Sequence, residues 1–184
     1  MNKILYDTKY LQLKSTVSKE GSPWVYAHRP NVSDVVVIMP VYKDEVLFII
    51  EERPPLQAEN RGKYCIGFPA GLVGDERKGE TVENAIKAEL LEEAGLSADK
   101  IEIKVHKVAA SSGCVSETYV IAIAYIENNQ IISEPISDGG IIVDRMWIKK
   151  ENIISWLNEK DRDGYVISAS IFAGLFYLFA EEKI

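Results

Sequence analysis

The chain has 184 residues, 21 Lys and Arg against 28 Asp and Glu, a formal net charge of −7, and 47% hydrophobic residues. A chain of this size buries roughly 70% of its unfolded surface, so one domain with at most a small appendage can hold its core without disulfides or structural metal. Disorder and collagen-like architecture are excluded. The acidic balance argues against a nucleic-acid or anionic-membrane surface, which clustered Lys and Arg would mark, so an anionic substrate needs a local cation.

In chain order, strands are predicted at 10–17 (YLQLKSTV) and 22–29 (SPWVYAHR), with Glu20-Gly21 as the turn between them. The runs at 34–42 and 45–50, split by Lys43-Asp44, read as a hairpin covered on both faces because Val and Ile run continuously. Pro54-Pro55 ends that pattern and leaves residues 52–63 mostly loop. A glycine-punctuated segment at 67–80 leads into a helix from Thr81 to Ala94, closed by Gly95. Strands are predicted at 101–110, 117–127 and 141–148, then helices at 150–159 and 164–182. The order implies an α+β or α-β-α sandwich with a mixed sheet over residues 33–184, and residues 1–32 as an appended strand pair.

The apolar stretch at 165–180 is shorter than a membrane span, contains Ser168 and Ser170, and runs into a charged end, so it reads as a buried helix. The opening residues MNKILYDTKYLQLK lack the apolar core of a secretory signal, and Cys65 and Cys114 lack partners at metal-ligand spacing. The expectation is a cytoplasmic chain with inert thiols.

Residues 80–96, ETVENAIKAELLEEAGL, carry the chemistry. On a helix Glu89, Glu92 and Glu93 fall at about 0°, 300° and 40°, one arc of about 100°, while Ala85, Ile86, Leu90 and Ala94 take the other side. A solvated acidic face is the bland reading, since like charges on an exposed helix cost only about 0.2–0.5 kcal/mol per pair. In a partly buried pocket each pair at about 6 Å would repel by roughly 3 kcal/mol, and a divalent cation would relieve it. Hard carboxylate oxygens suit Mg²⁺ or Mn²⁺ shared with a substrate phosphate.

These residues resemble a Nudix box, G-x5-E-x7-R-E-U-x-E-E-x-G-U with U a bulky aliphatic residue, through Gly74, Glu80, Glu89, Leu90, Glu92, Glu93, Gly95 and Leu96. EERPP (51–55), FPAGL (68–72), SSGCVSE (111–117) and the C-terminal helix extend the likeness to the ADP-ribose pyrophosphatase branch of that family. The resemblance implies hydrolysis of a nucleoside diphosphate linked to another group, for ADP-ribose giving AMP and ribose 5-phosphate, with Mg²⁺ or Mn²⁺ as cofactor. It implies Glu89 and Glu93 as principal metal ligands, Glu92 sharing a second ion, and the Ala70 carbonyl completing the shell. It implies a homodimer built through the N-terminal strands.

Arg53 matches a substrate-contacting arginine of that family, its alternative being a surface pair with Glu51 or Glu52. Trp24 and Tyr26 are candidates to stack on a base, or to pack a core or dimer seam. Glu117 sits where the family carries an acid near the site, or is a solvated carboxylate at a strand start. Asp138, on the loop ISDGGIIVD, is the candidate catalytic base or an Asx-turn residue.

The chain departs from the pattern in places. Ala88 replaces the box arginine that pairs with a glutamate, so Glu80 or Glu89 loses a partner, and Lys87 lies about 100° around the helix from it. Either Gly74 is the box glycine, or Gly71 is and three residues are inserted after it; the FPAGL match favours Gly71. Ser111-Ser112-Gly113 stands where the branch shows Ser-Pro-Gly. A second class of function is therefore a Nudix-fold nucleotide-sugar binding or regulatory protein with impaired turnover.

Overall fold

The computed structural model describes residues 3–74, 79–128 and 141–181. Three antiparallel strands come first, β1 (Lys3–Asp7), β2 (Gln12–Val17) and β3 (Pro23–His28), forming a separate sheet in that order. β2 and β3 are the expected pair; β1 is an addition. The hairpin follows as β4 (Val35–Tyr42) and β5 (Glu45–Glu52), then a short helix α1 (Pro54–Ala58). Residues 52–63 are thus not all loop. Pro54 and Pro55 occupy the first helical positions, where a missing N–H costs nothing, so the pair that stops the strand also starts a turn of helix.

Two short strands, β6 (Tyr64–Gly67) and β7 (Ala70–Leu72), precede α2 (Val82–Ala94). The chain continues through β8 (Lys100–Ala109), β9 (Thr118–Tyr125) and β10 (Ile141–Lys149), a 3₁₀ turn (Lys150–Asn152), α3 (Ile153–Arg162), β11 (Val166–Ile167) and α4 (Ala169–Glu181). The predicted helix at 164–182 is therefore shortened by a two-residue strand.

The large sheet runs β11-β6-β5-β4-β9-β8, with β10 on β5 and β7 on β4. It is mixed, as expected: β4 with β9 and β6 with β11 are parallel, and its other pairings are antiparallel. The hairpin strands β4 and β5 pair only at Val41↔Val46 and Tyr42↔Glu45 beside the turn. Beyond it they part. β6 takes β5 from Ile49↔Gly67 to Glu52↔Tyr64, and β7 takes β4 at Val35↔Leu72 to Val37↔Ala70. Residues 64–72 thereby fill a split in the sheet.

Alternation along β4 sends Val36 and Ile38 to one face and Val37, Met39 and Val41 to the other. The first face packs on Ala85, Ile86, Leu90 and Ala94 of α2, the four residues the helical period selects; the second packs on Ile153 and Leu157 of α3 and Ile171, Leu175 and Leu178 of α4. The result is the expected α-β-α sandwich. Helix α4 is not wholly buried, however, since Phe172 is 55% and Phe176 65% exposed. At 13 residues it makes about 3.6 turns, and among the described residues no helix is long and apolar enough to cross a membrane.

Candidate active site

Helix α2 is fixed at both ends by local chemistry. The Thr81 side chain accepts the Asn84 N–H, and Gly95 closes the helix at φ 69°, donating its N–H to Leu90 and Leu91 carbonyls. With the apolar side pinned to the sheet, the acidic side is turned toward the split between β4 and β5, where Ala70 and Gly71 lie.

Glu93 Oε2 accepts the Ala70 N–H at 2.8 Å. The Glu89 carboxylate rests directly on Gly71, where an added Cβ would sit 1.8 Å from its Oε1. Only glycine leaves room for that carboxylate, a steric demand in keeping with the FPAGL match at Gly71. Gly74 is used as well: at φ 91° it donates its N–H to Glu80 Oε2 at 3.3 Å. Glu92 is partly buried on the same helix. Residues 75–78 and Asp138 fall outside the described residues.

Arg53 pairs with Glu51 at 2.7 Å. This is the pairing alternative, but not as a surface pair, because Glu51 is only 3% exposed. Glu51 shares a sheet face with Leu47, which packs under α2, so it points to the α2 side. Sequence reasoning treats Glu51 only as a partner for Arg53. Its signal is a carboxylate that continues the alternation of the apolar run VLFII before it. Arg145 is the second residue the sequence does not single out. It stands opposite Ile49 on β10, and its Nε donates to the Glu93 main-chain carbonyl.

Burial pushes the Glu93 carboxyl up to about 7; the Ala70 N–H pulls it down, nearby Glu51 adds to the rise, and Arg53 and Arg145 oppose it. Burial also raises Glu51, against the pull of Arg53. Burial, with help from Glu51, lifts the Cys65 thiol to about 11, as an inert thiol requires.

Glu93 thus has the properties of a hard oxygen donor waiting for a cation: largely desolvated, pressed by a neighbouring carboxylate and reluctant to ionise alone. Among the described residues no three His, Cys, Asp or Glu side chains converge into a ready-made metal shell. Glu93 is turned to Ala70 and Glu89 to Gly71, so the fit is one of donor chemistry and position. Glu89 and Glu93 could hold an ion, with Glu92 and the Ala70 main chain beside them.

A cavity of about 280 Å³ opens between β3 and the start of β9, lined among others by Lys14, Tyr26, His28, Arg29, Asp34 and Glu117. Register places Lys14 opposite Tyr26, and Trp24 on the same face of β3. Tyr26 thus meets Glu117 in one pocket. Glu117 is not simply solvated, since it pairs with Arg29. Trp24 spends its indole N–H on the Gly113 carbonyl at 2.9 Å. That bond, the Ala27 N–H to Cys114 O at 2.8 Å and the Ser116 N–H to Ala27 O at 3.1 Å strap the Ser111-Ser112-Gly113 loop to β3 without a proline. Burial, then Lys14, lowers His28, favouring the neutral ring that meets Ser116 Oγ at 2.9 Å. Tyr119 lies between the two regions, raised by burial and Glu117 and lowered by Arg53 and Arg29.

No family model matches the chain. It is 25% identical over 160 residues to an ADP-sugar pyrophosphatase of Mus musculus, an alignment covering 82% of this chain and 70% of the relative. Its fold matches the crystal structure of an ADP compounds hydrolase with a TM-score of 0.72 at 20% identity, over 100% of this chain and 92% of that one. The chain is thus related in sequence to an ADP-sugar pyrophosphatase and has the fold of an ADP compounds hydrolase. Both likenesses support the relation to the ADP-ribose pyrophosphatase-like branch of the Nudix hydrolases that the residues gathered on α2 imply.

Two outcomes follow from this geometry. In EDTA, Glu93→Gln should stabilise the protein at pH 8 by about 1–3 kcal/mol by urea melts. The unfolded carboxyl titrates near its ordinary value and the folded one near 7, so the penalty is absent below the unfolded pKa, grows as pH rises and is complete above 7. The advantage of the variant should vanish toward pH 4. Gly71→Ala should remain folded by circular dichroism but lose at least about tenfold in turnover, because its Cβ evicts the Glu89 carboxylate.

Proposed function

We propose that the protein is a divalent-metal-dependent hydrolase of the pyrophosphate bond in a nucleoside diphosphate sugar, ADP-ribose before others, releasing AMP and ribose 5-phosphate. The observation that supports this most is the meeting of Glu89 and Glu93 over Gly71 and Ala70, beside Arg53 on its buried Glu51. Glu89, Glu92, Glu93 and the Ala70 carbonyl would hold Mg²⁺ or Mn²⁺. When bound, the cation neutralises the pyrophosphate oxygens and lowers the pKa of the attacking water. Arg53 presents its planar fork to a phosphate and turns part of its charge away from Glu51 to do so. The pocket past Tyr119 takes the remainder of the nucleotide, with Tyr26 on its β3 wall, Trp24 further along the same strand face, and Glu117 and Arg29 as hydrogen-bonding groups. Asp138 is the proposed general base, and Glu92 and Glu93 would orient the reacting group from the acidic face of α2.

The active form is a homodimer through residues 1–32. The face of the small sheet turned from the pocket carries Tyr6, Leu13, Val17 and Val25, all exposed. Four large apolar side chains on one sheet face make a patch of the kind that marks an interface. The binding or regulatory reading keeps one specific support, Ala88 in place of arginine.

Purified protein with Mg²⁺ should release AMP from ADP-ribose, with Arg53→Ala raising KM at least about tenfold and EDTA abolishing turnover. A nucleotide sugar bound without cleavage would favour the regulator. In light scattering the chain should run as a dimer, and Leu13→Asp with Val25→Asp should give a folded monomer.

A further inference from the structure

Helix α2 ends with three acids in its last two turns, Glu89, Glu92 and Glu93, and no basic residue in its last turn. That is the negative end of the helix dipole, where acids are least favoured and a cation most. The last carbonyls of a helix also need donors. Gly95 and Leu96 N–H groups serve the Leu90 and Leu91 carbonyls. The Glu93 carbonyl is served instead by Arg145, from a strand fifty residues later. The bulge in the β10–β5 pairing lies between Ile142 and Asp144, and immediately after it Arg145 stands opposite the buried Ile49. The Asp144 side chain accepts the Arg145 N–H at 2.7 Å, fixing the backbone there.

We propose that Arg145 is a positioning residue for the carboxylate face: it grips the last turn of α2 from β10, supplies the cation the helix end lacks, and so keeps Glu93 over Ala70. This rests on the metal-dependent reading above. Arg145 reaches the main chain of Glu93, whereas a residue at position 88 would act from within α2. The arrangement therefore makes the metal face depend on the register of β10, a tie that an arginine inside the helix would not create. It also gives a physical reason why Ala88 is tolerated in this chain.

The test measures Mn²⁺ binding by electron paramagnetic resonance on the full chain, beside kcat and KM for ADP-ribose. Arg145→Met should weaken Mn²⁺ binding about tenfold and lower kcat, with KM and the melting temperature in EDTA nearly unchanged. Arg145→Lys should recover most of the lost affinity, since an ammonium can still donate to the carbonyl. Wild-type binding matched within about twofold by Arg145→Met would overturn the inference and leave the hydrolase reading standing. A raised KM with unchanged Mn²⁺ affinity would make Arg145 a substrate contact and overturn it equally. Loss of affinity in step with a falling melting temperature in EDTA, unrelieved by Arg145→Lys, would assign Arg145 to packing. Wild-type protein that binds no Mn²⁺ would overturn the metal-dependent reading and this inference together.

Discussion

The contact between the carboxylate end of α2 and the Ala70-Gly71 segment is the constraint on which the rest depends. It requires β4 and β5 to part after two residue pairs, so that β6 and β7 can enter the split. It requires a residue without a side chain where Glu89 lies, and a free N–H where Glu93 lies. The apolar face of α2 supplies the energy that holds these acids in place. Ile86 and Leu90 are almost wholly buried, and each such side chain contributes about 1.5–3 kcal/mol by burial. That is the same order as the repulsion between carboxylates, so the helix stays docked although its acidic face opposes docking.

The site was legible in the sequence where its chemistry is local. Thr81, the 3.6-residue period of Ala85, Ile86, Leu90 and Ala94, and Gly95 each act within α2, and the structure uses all of them as the period requires. The split in the sheet was not legible. Gly67, Pro69 and Gly71 read as loop signals, yet they flank strands of four and three residues, too short for any alternation to register. Pro54 and Pro55 mislead similarly, since one residue type both ends a strand and opens a helix. Glu51 and Arg145 belong to the site through pairing across the sheet, and no spacing along the chain relates 51, 93 and 145.

The N-terminal sheet has two unlike faces for a related reason. Alternation puts Lys14, Tyr26 and His28 toward the cavity and Tyr6, Leu13, Val17 and Val25 outward. The bonds from Trp24 and Ala27 to residues 113–114 join it to the loop before β9, so what steadies the sheet also shapes the pocket. A proline in that loop would remove a main-chain donor; this chain instead holds the loop through carbonyls at Gly113 and Cys114, which accept from β3.

Charge in the site is arranged in alternation. Glu51 is balanced by Arg53 and Glu93 is flanked by Arg145, while Glu51 still raises Glu93. Such a cluster is a poor source of stability, because desolvation of each carboxylate offsets most of the attraction to its partner. Its consequence is chemical: two arginines are held beside two reluctant acids. One of the two, Arg53, is about half exposed, whereas the other is bound to a helix main chain and cannot leave without releasing α2. On the proposed reading the exposed cation would receive a dianionic group, and the fixed one would keep the carboxylates that face it in register.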